Sequence, residues 1–216
     1  MRTLVSIVEP DNELVSQAVT AARQPVEAAA AAAGGNRTDG AIGSLATVFA
    51  LRRAVFVTEQ GVDSSIEWDG LDDAATHFLA LDESRPVGTA RLRWLDEATA
   101  KCERVAVRAA DRNAGWGRWL MTAVDDHAAD TGATRCVLHA QQSAVTFYEK
   151  QGYQAVGEPF SEAGIPHRKM VRLLANRAEA SESASESEPE SKSEPESKSE
   201  SESVSESESE SESGRE

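Results

Sequence analysis

Hydrophobic spacing changes period several times along the chain. Thr3 to Val8 is an apolar run of strand length, and Asp11 to Arg23 has helical spacing. Leu45, Val48, Phe49, Ala54 or Val55, and Phe56 recur at three- and four-residue steps, which predicts a helix with one buried stripe and with Arg52 and Arg53 facing outward. Thr58 to Ala75 has no sustained period and is rich in acids, so it reads as a long loop. Phe78 to Leu81 and Val87 to Leu95 flank a turn-forming cluster, Asp82 to Pro86, predicting a β-hairpin. Arg91 and Arg93 alternate with Leu92 and Trp94 there, as expected of a hairpin open to solvent on one face.

Beyond the hairpin, Cys102 to Val107 reads as a strand, Gly115 to Thr131 as a helix stopped by Gly132, and Arg135 to Ala140 as a strand. Ser143 to Gln151 is a second helix stopped by Gly152, and Tyr153 to Gly157 and His167 to Leu174 are two strands joined by PFSEAGIP. This order of elements predicts an α/β (α+β) fold, a mixed central sheet flanked by helices in one domain over residues 1–176.

Composition changes that picture at two places. Residues 25–43 are rich in Ala and Gly and read as an insertion or mobile connector. Residues 178–216 carry 14 Glu against Lys192, Lys198 and Arg215, hold almost no apolar side chains, and are expected to be a disordered Ser/Glu-rich tail. The formal net charge of −15 therefore sits mostly in the tail, and the rest of the chain carries only −4. No basic surface for nucleic acid is expected. The longest Ala run, Ala28 to Ala33, is too short to cross a bilayer, and Cys102 and Cys136 lack redox or metal spacing, so a cytoplasmic location without membrane partners is expected.

The stretch RNAGWGRWLMTAVDDHA, from Arg112, sets Gly115 and Gly117 directly before an amphipathic helix. Helix N-termini present unpaired N–H groups and partial positive charge, so this turn is suited to an anion such as phosphate. A dinucleotide fingerprint fails because its third glycine is Leu120 and the following strand ends in His139-Ala140-Gln141 rather than an acid. A Walker loop is absent from the sequence.

What remains is R-x-x-G-x-G, formed by Arg112, Gly115 and Gly117, with AQQSAVTFYEKQGY following from Ala140 to Tyr153. In both segments the chain resembles the GNAT superfamily of acetyl-CoA-dependent N-acetyltransferases. RRAVFVTEQGV, EWDGLDDAATHF, GTARLRW and FSEAGIPHRKM are similar to its ElaA-like branch, so that the resemblance covers residues 45–174.

The resemblance implies splayed strands that hold acetyl-CoA as co-substrate. Its pyrophosphate would lie on Asn113, Ala114, Gly115, Trp116, Gly117 and Arg118 after Arg112, with Ser143 nearby and the pantetheine arm along Val105, Ala106 and Val107. Trp116 departs from the usual small aliphatic residue, and its spacing with Leu120 and Ala123 suits a core anchor.

Acetyl transfer needs a neutral amine, a polarised carbonyl and a proton for the thiolate. Tyr148 is the family-like general acid, with Phe147 available for the core. Glu103 is the first candidate base, since strand alternation puts it on the face of Val105 and Val107, and Glu67 of the loop is the next; the structural alternative for Glu103 is an ion pair with Arg91 or Arg93. Glu67 and Asp69 could line an acidic acceptor entrance with Asp72 and Asp73, or form a solvated loop, while His77 and His167 could border the acceptor pocket. His77, His127, His139 and His167 share no metal-ligand spacing, so no metal is expected. The expected reaction is direct attack by the primary amine of a small-molecule acceptor. A non-catalytic acyl-CoA sensor and a protein lysine acetyltransferase are the alternatives. The sequence does not fix the oligomeric state, monomer or homodimer.

Overall fold

The computed structural model describes residues 1–22, 26–31 and 37–175. The expected Ser/Glu tail lies outside them, as do residues 25 and 32–36 of the Ala/Gly-rich stretch. Elsewhere that stretch is helical, forming α2 (Val26–Ala31) and the start of α3 (Arg37–Arg52).

Seven strands form one mixed sheet in the order β1-β2-β3-β4-β5-β7-β6. The strands are β1 (Arg2–Val8), β2 (Thr76–Asp82), β3 (Arg85–Asp96), β4 (Thr99–Val107), β5 (Arg135–Gln141), β6 (Gln154–Glu162) and β7 (Ile165–Leu173). Every neighbouring pair is antiparallel except β4 and β5. That parallel pair touches only at Thr99↔Arg135, Ala100↔Cys136 and Lys101↔Val137, after which the two strands diverge.

Helices cover both faces. On one, α1 (Asn12–Ala21) and α3 bury Ala18, Leu45, Val48 and Phe49 against Leu79 of β2. Asp11 starts α1 by accepting the Leu14 N–H at 2.7 Å, which satisfies one of the orphan donors of the first turn. On the other, α5 (Trp116–Asp130) and α6 (Val145–Glu149) pack Trp116, Leu120, Met121, Val124 and Tyr148 against Phe78, Ala90, Cys102, Leu138 and Met170. α4 (Ser64–Glu67) interrupts the segment expected to be a loop.

Three expectations are corrected by burial and backbone geometry. Arg52 does not face outward but is fully buried, and Arg91 is fully buried because residues 63–75 close over the hairpin face expected to be open. Glu103 does not share a face with Val107. Arg104 has φ +52, and the register slips from Arg91↔Glu103 to Thr89↔Ala106, so one extra residue in β4 reverses the alternation beyond it. The last two strands are joined by PFSEAGIP as expected but are longer: β6 and β7 extend into it and turn at Ala163 and Gly164, whose φ values of +52 and +75 suit a tight hairpin.

Candidate active site: a cleft between diverging strands

The divergence of β4 and β5 opens a cleft of about 950 Å³, including its mouth. Its floor is Lys101 to Val105 of β4, and one wall is Leu138, His139 and Gln141 of β5 with Tyr148 of α6. Phe56, Gln60, Ile66 and Glu67 form the facing wall, and Glu162, Ile165 and His167 close one end.

At the far end of β4, a short turn leads to the helix terminus singled out by sequence. Asn113 and Gly115 both adopt left-handed backbone, φ +63 and +80, so the chain reverses sharply and α5 starts at Trp116 with its first-turn N–H groups free of intrahelical acceptors. Gly117 packs closely, since a Cβ there would come within 3.2 Å of the Phe147 ring, which would have to give by a few tenths of an ångström. Trp116 is buried, edge-on to Trp119 at 5.7 Å and covered by the Arg2 guanidinium at 4.4 Å, which matches a core anchor. Arg2 also donates to the Ala114 carbonyl at 2.8 Å, tying β1 to the turn. Ser143 is exposed in a single 3-10 turn, Gln142–Ala144, before α6.

Arg112 does not project freely from the turn. Its Nε donates to the Val107 carbonyl at 3.0 Å, and its two terminal nitrogens grip Glu59 at 2.6 and 2.8 Å. That hydrogen bond to Glu59 raises the pKa of Arg112. Glu59 ends a π-helical continuation of α3 (Arg53–Glu59), whose wider winding is visible in the bond from Gln60 N–H to Val55 O. The neighbouring Gln60 accepts from Gln141 at 2.9 Å, so this segment reaches β5 as well as the turn.

In the cleft floor and beneath it, on the α3 side, lies a largely buried ionic network. Arg52 binds Glu67 at 2.5 Å and Asp72 at 2.6 Å; Arg91 binds Asp69 at 2.6 Å, Asp72 at 2.9 Å and Glu103 at 2.8 Å. Arg93 and Lys101 also hold Glu103, at 2.7 and 2.8 Å, and Arg104 reaches Glu67 and Asp69 at 2.9 and 3.1 Å. Burial alone would raise the pKa of Glu103 and Asp69, but the surrounding cations win: Glu103 is held far below the usual carboxylate range by Arg93, Lys101 and Arg91, and Asp69 is held at about 2 by Arg91 and Arg104. A carboxylate so stabilised is a weak proton acceptor, so the geometry gives Glu103 the ion-pair role that sequence left as its alternative.

The other acceptor-side candidates separate. Glu67 and His167 line the cleft; Asp69 lies behind it, gripped by arginines. His77 is wholly buried, contacts Phe49 edge-on, and bonds the Asp72 carbonyl through Nε2 at 2.8 Å. Burial lowers its pKa to about 4, which keeps it neutral, and because a carbonyl oxygen can only accept, Nε2 is the donor. His167 Nδ1 bonds the Ile165 carbonyl at 2.8 Å and its ring stacks on Phe160.

Tyr148 lines the cleft, and its hydroxyl has no hydrogen-bond partner among the described residues. Burial pushes its pKa up, so the phenol keeps its proton at neutral pH. It is the more buried of the aromatic pair, while Phe147 is half-buried over Gly117. Cys102 also lines the cleft, but burial raises its thiol pKa well above the ordinary value, which leaves it a poor nucleophile. Among the described residues no group of three His, Cys, Asp or Glu could hold a metal ion, and no helix is long and apolar enough to cross a membrane.

Sequence reasoning missed Glu59, Gln60, Gln141, His139 and Glu162. Glu59, Gln60 and Glu162 lie inside RRAVFVTEQGV and FSEAGIPHRKM, stretches already singled out, but only the fold shows that Gln60 and Glu162 line one cleft and that Glu59 grips Arg112.

Diverging parallel strands, a bulge at their opening and a glycine turn at a helix N-terminus define an acyltransferase-type site. The family model for the acetyltransferase (GNAT) domain matches residues 42–174, and the chain belongs to that family. It is similar to the uncharacterised N-acetyltransferase YjcF of Bacillus subtilis, 41% identical over 59% of this chain and 91% of that protein. Among solved structures it resembles an acyl-CoA N-acyltransferase from Pseudomonas aeruginosa, 30% identical with a TM-score of 0.54, over 58% of this chain and 87% of that one. Escherichia coli ElaA is also similar, 30% identical with a TM-score of 0.53, over 58% of this chain and 86% of that one. The protein is thus an acyltransferase of the GNAT family.

Proposed function

We propose that the protein transfers the acetyl group of acetyl-CoA to the primary amine of a small molecule by direct attack. The observation that carries this reading is the opening between β4 and β5, with Tyr148 inside it and with the end of β4 leading into the turn of residues 112–118 at the start of α5. Amides of Asn113 to Arg118 would receive the pyrophosphate, supported by helix-terminal charge, with Ser143 at the margin. Val105, Ala106 and Val107 would line the pantetheine arm. The bulge at Arg104 releases backbone from the β3 ladder, which supplies an N–H donor for the thioester carbonyl.

Tyr148 supplies the proton for the departing thiolate. Its raised pKa ensures that the proton is present until sulfur develops charge. Glu67 and His167 border the acceptor space. Asp69 and His77 act one layer behind, holding the loop that carries Glu67 in place. Glu103 fixes the cations along β4. Within this reading residues 1–176 form the catalytic domain, and the acidic tail of residues 178–216 is dispensable for turnover.

Following CoA release with a thiol reagent across polyamines, amino sugars, amino acids and lysine peptides tests the proposal. Turnover with one class of small amine supports it, turnover confined to lysine peptides replaces the acceptor class, and binding of acetyl-CoA without turnover favours a sensor.

A further inference from the structure

The ionic network leaves the cleft without an obvious acceptor for the proton of an incoming ammonium. Glu103 is engaged by Arg91, Arg93 and Lys101, and Glu67 by Arg52 and Arg104. His77 is fully buried beneath the loop, with Nε2 committed to the Asp72 carbonyl. Yet an alkyl amine, whose pKa is near 10.4 in a lysine side chain, reaches a neutral-pH enzyme mostly protonated.

One pair in the cleft has the arrangement that this step requires. His139 of β5 lines the wall, and its Nδ1 lies 2.8 Å from Glu162 Oε2 at the end of β6. An ionised carboxylate can only accept, so Nδ1 carries the hydrogen and Nε2 of the neutral ring keeps its lone pair. The edge of Phe160, 4.8 Å away between ring centres, further fixes the imidazole. Strand pairing sets the side on which this happens. Leu138 and Met170 belong to the core under α5, so His139 projects to the opposite face, that of the loop carrying Glu67.

We propose that His139 is the general base that removes a proton from the acceptor ammonium, with Glu162 as its positioning residue. This rests on the acetyltransferase reading above. His139 Nε2 takes one proton from R–NH3⁺. The freed amine forms the N–C bond to the acetyl carbonyl carbon as the C–S bond breaks, and Tyr148 gives its proton to the thiolate. The second proton lost by nitrogen as the amide forms returns through solvent to Tyr148, and His139 releases its own to solvent. Net products are the acetamide, CoA thiol and one proton. Imidazole is the side chain suited to gaining and losing a proton between pH 5 and 8, and a carboxylate at Nδ1 stabilises the imidazolium as it forms. His167, the other histidine in the cleft, has only a backbone carbonyl at Nδ1 and is more deeply buried. The charged and titratable groups around His139 are Glu162 of β6, His167 and Lys169 of β7, and Lys101, Glu103 and Glu67 across the cleft.

The test compares full-length wild type, His139→Gln, Glu162→Gln and His167→Gln, using the best alkyl amine from the acceptor panel and a fluorinated analogue of it that is neutral at pH 7. For His139→Gln the expected result is a loss of about 10²-fold in kcat/KM with the alkyl amine. The loss is much smaller with the neutral analogue, and acetyl-CoA affinity is unchanged by calorimetry. Glu162→Gln is expected to give a smaller loss with the alkyl amine, again much reduced with the neutral analogue, and unchanged acetyl-CoA affinity. Equal losses with both amines would mean a structural role and overturn the assignment, as would a wild-type profile in His139→Gln or a larger defect in His167→Gln. If the wild type releases no CoA with any amine, the acetyltransferase reading itself fails and the base assignment with it.

Discussion

The two faces of β4 are built on opposite principles. Toward α5 and α6 the strand presents Cys102, Val105 and Val107 to an apolar layer that includes Trp116, Leu120 and Tyr148, and beyond it the chain enters the glycine turn. Toward α3 it presents Lys101 and Glu103 to a mesh that includes Arg52, Arg91, Asp69 and Asp72. Packing on the first face depends on shape, and a missing atom leaves a gap. Packing on the second depends on charge balance, and a missing partner leaves an ion stranded away from water, which costs much more. The acidic loop therefore offers little field to a cationic amine, because its carboxylates are answered by guanidinium groups within hydrogen-bonding distance.

Removing one cation should expose that difference most sharply. Arg91→Met strands Asp69, Asp72 and part of Glu103, and is expected to lower unfolding free energy by about 3–5 kcal/mol in denaturant titrations. A loss under 1 kcal/mol would show that water enters the mesh freely.

Acid probes the same face without mutation. His77 has a folded pKa near 4 against 6.5 for the free side chain, so the unfolded chain binds the extra proton between those values. Stability should be fully present above pH 6.5 and fall by roughly 3 kcal/mol on the way to pH 4, at 1.36 kcal/mol per pKa unit. Asp69, with its folded pKa depressed to about 2 from 3.8, extends the loss below pH 4. Denaturant midpoints that do not change between pH 7 and pH 4 would contradict a neutral, buried His77.

On the apolar face the effects should be smaller and separable from folding. Tyr148→Phe removes only a hydroxyl without a protein partner, and is expected to cut kcat by about 10²-fold while leaving the melting temperature nearly unchanged. Unchanged turnover would remove Tyr148 from the proton path. Gly88→Ala places a Cβ 2.9 Å from the Ala106 carbonyl oxygen, so β3 or the bulged part of β4 must shift. A cost of about 1–3 kcal/mol and weaker acetyl-CoA binding are expected, checked by melting and calorimetry.

The same contrast explains how much the sequence disclosed. Strands and helices of the α5 side were legible because apolar periodicity and a glycine-punctuated turn are local signals, readable at Gly115, Gly117, Gly132 and Gly152. The family was legible for the same reason. Arg52 and Arg91 were not, since a buried arginine has the same local pattern as an exposed one and only distant acids 12 to 22 residues away distinguish it. The bulge at Arg104 was equally silent, because nothing in KCERVAV announces an extra residue, and it put Val107 on the face opposite Glu103, where alternation predicts the same face. His139 and Glu162, 23 residues apart, meet only through β7.

The most direct test of the central claim is calorimetric titration of acetyl-CoA into the wild type and into Gly115→Val, whose branched side chain is incompatible with φ +80 at the start of α5. The expected result is stoichiometric binding by the wild type and at least tenfold weaker binding by the variant, with the sheet intact by circular dichroism. No binding by the wild type, or equal affinity in both proteins, would contradict the placement of the cofactor on that turn.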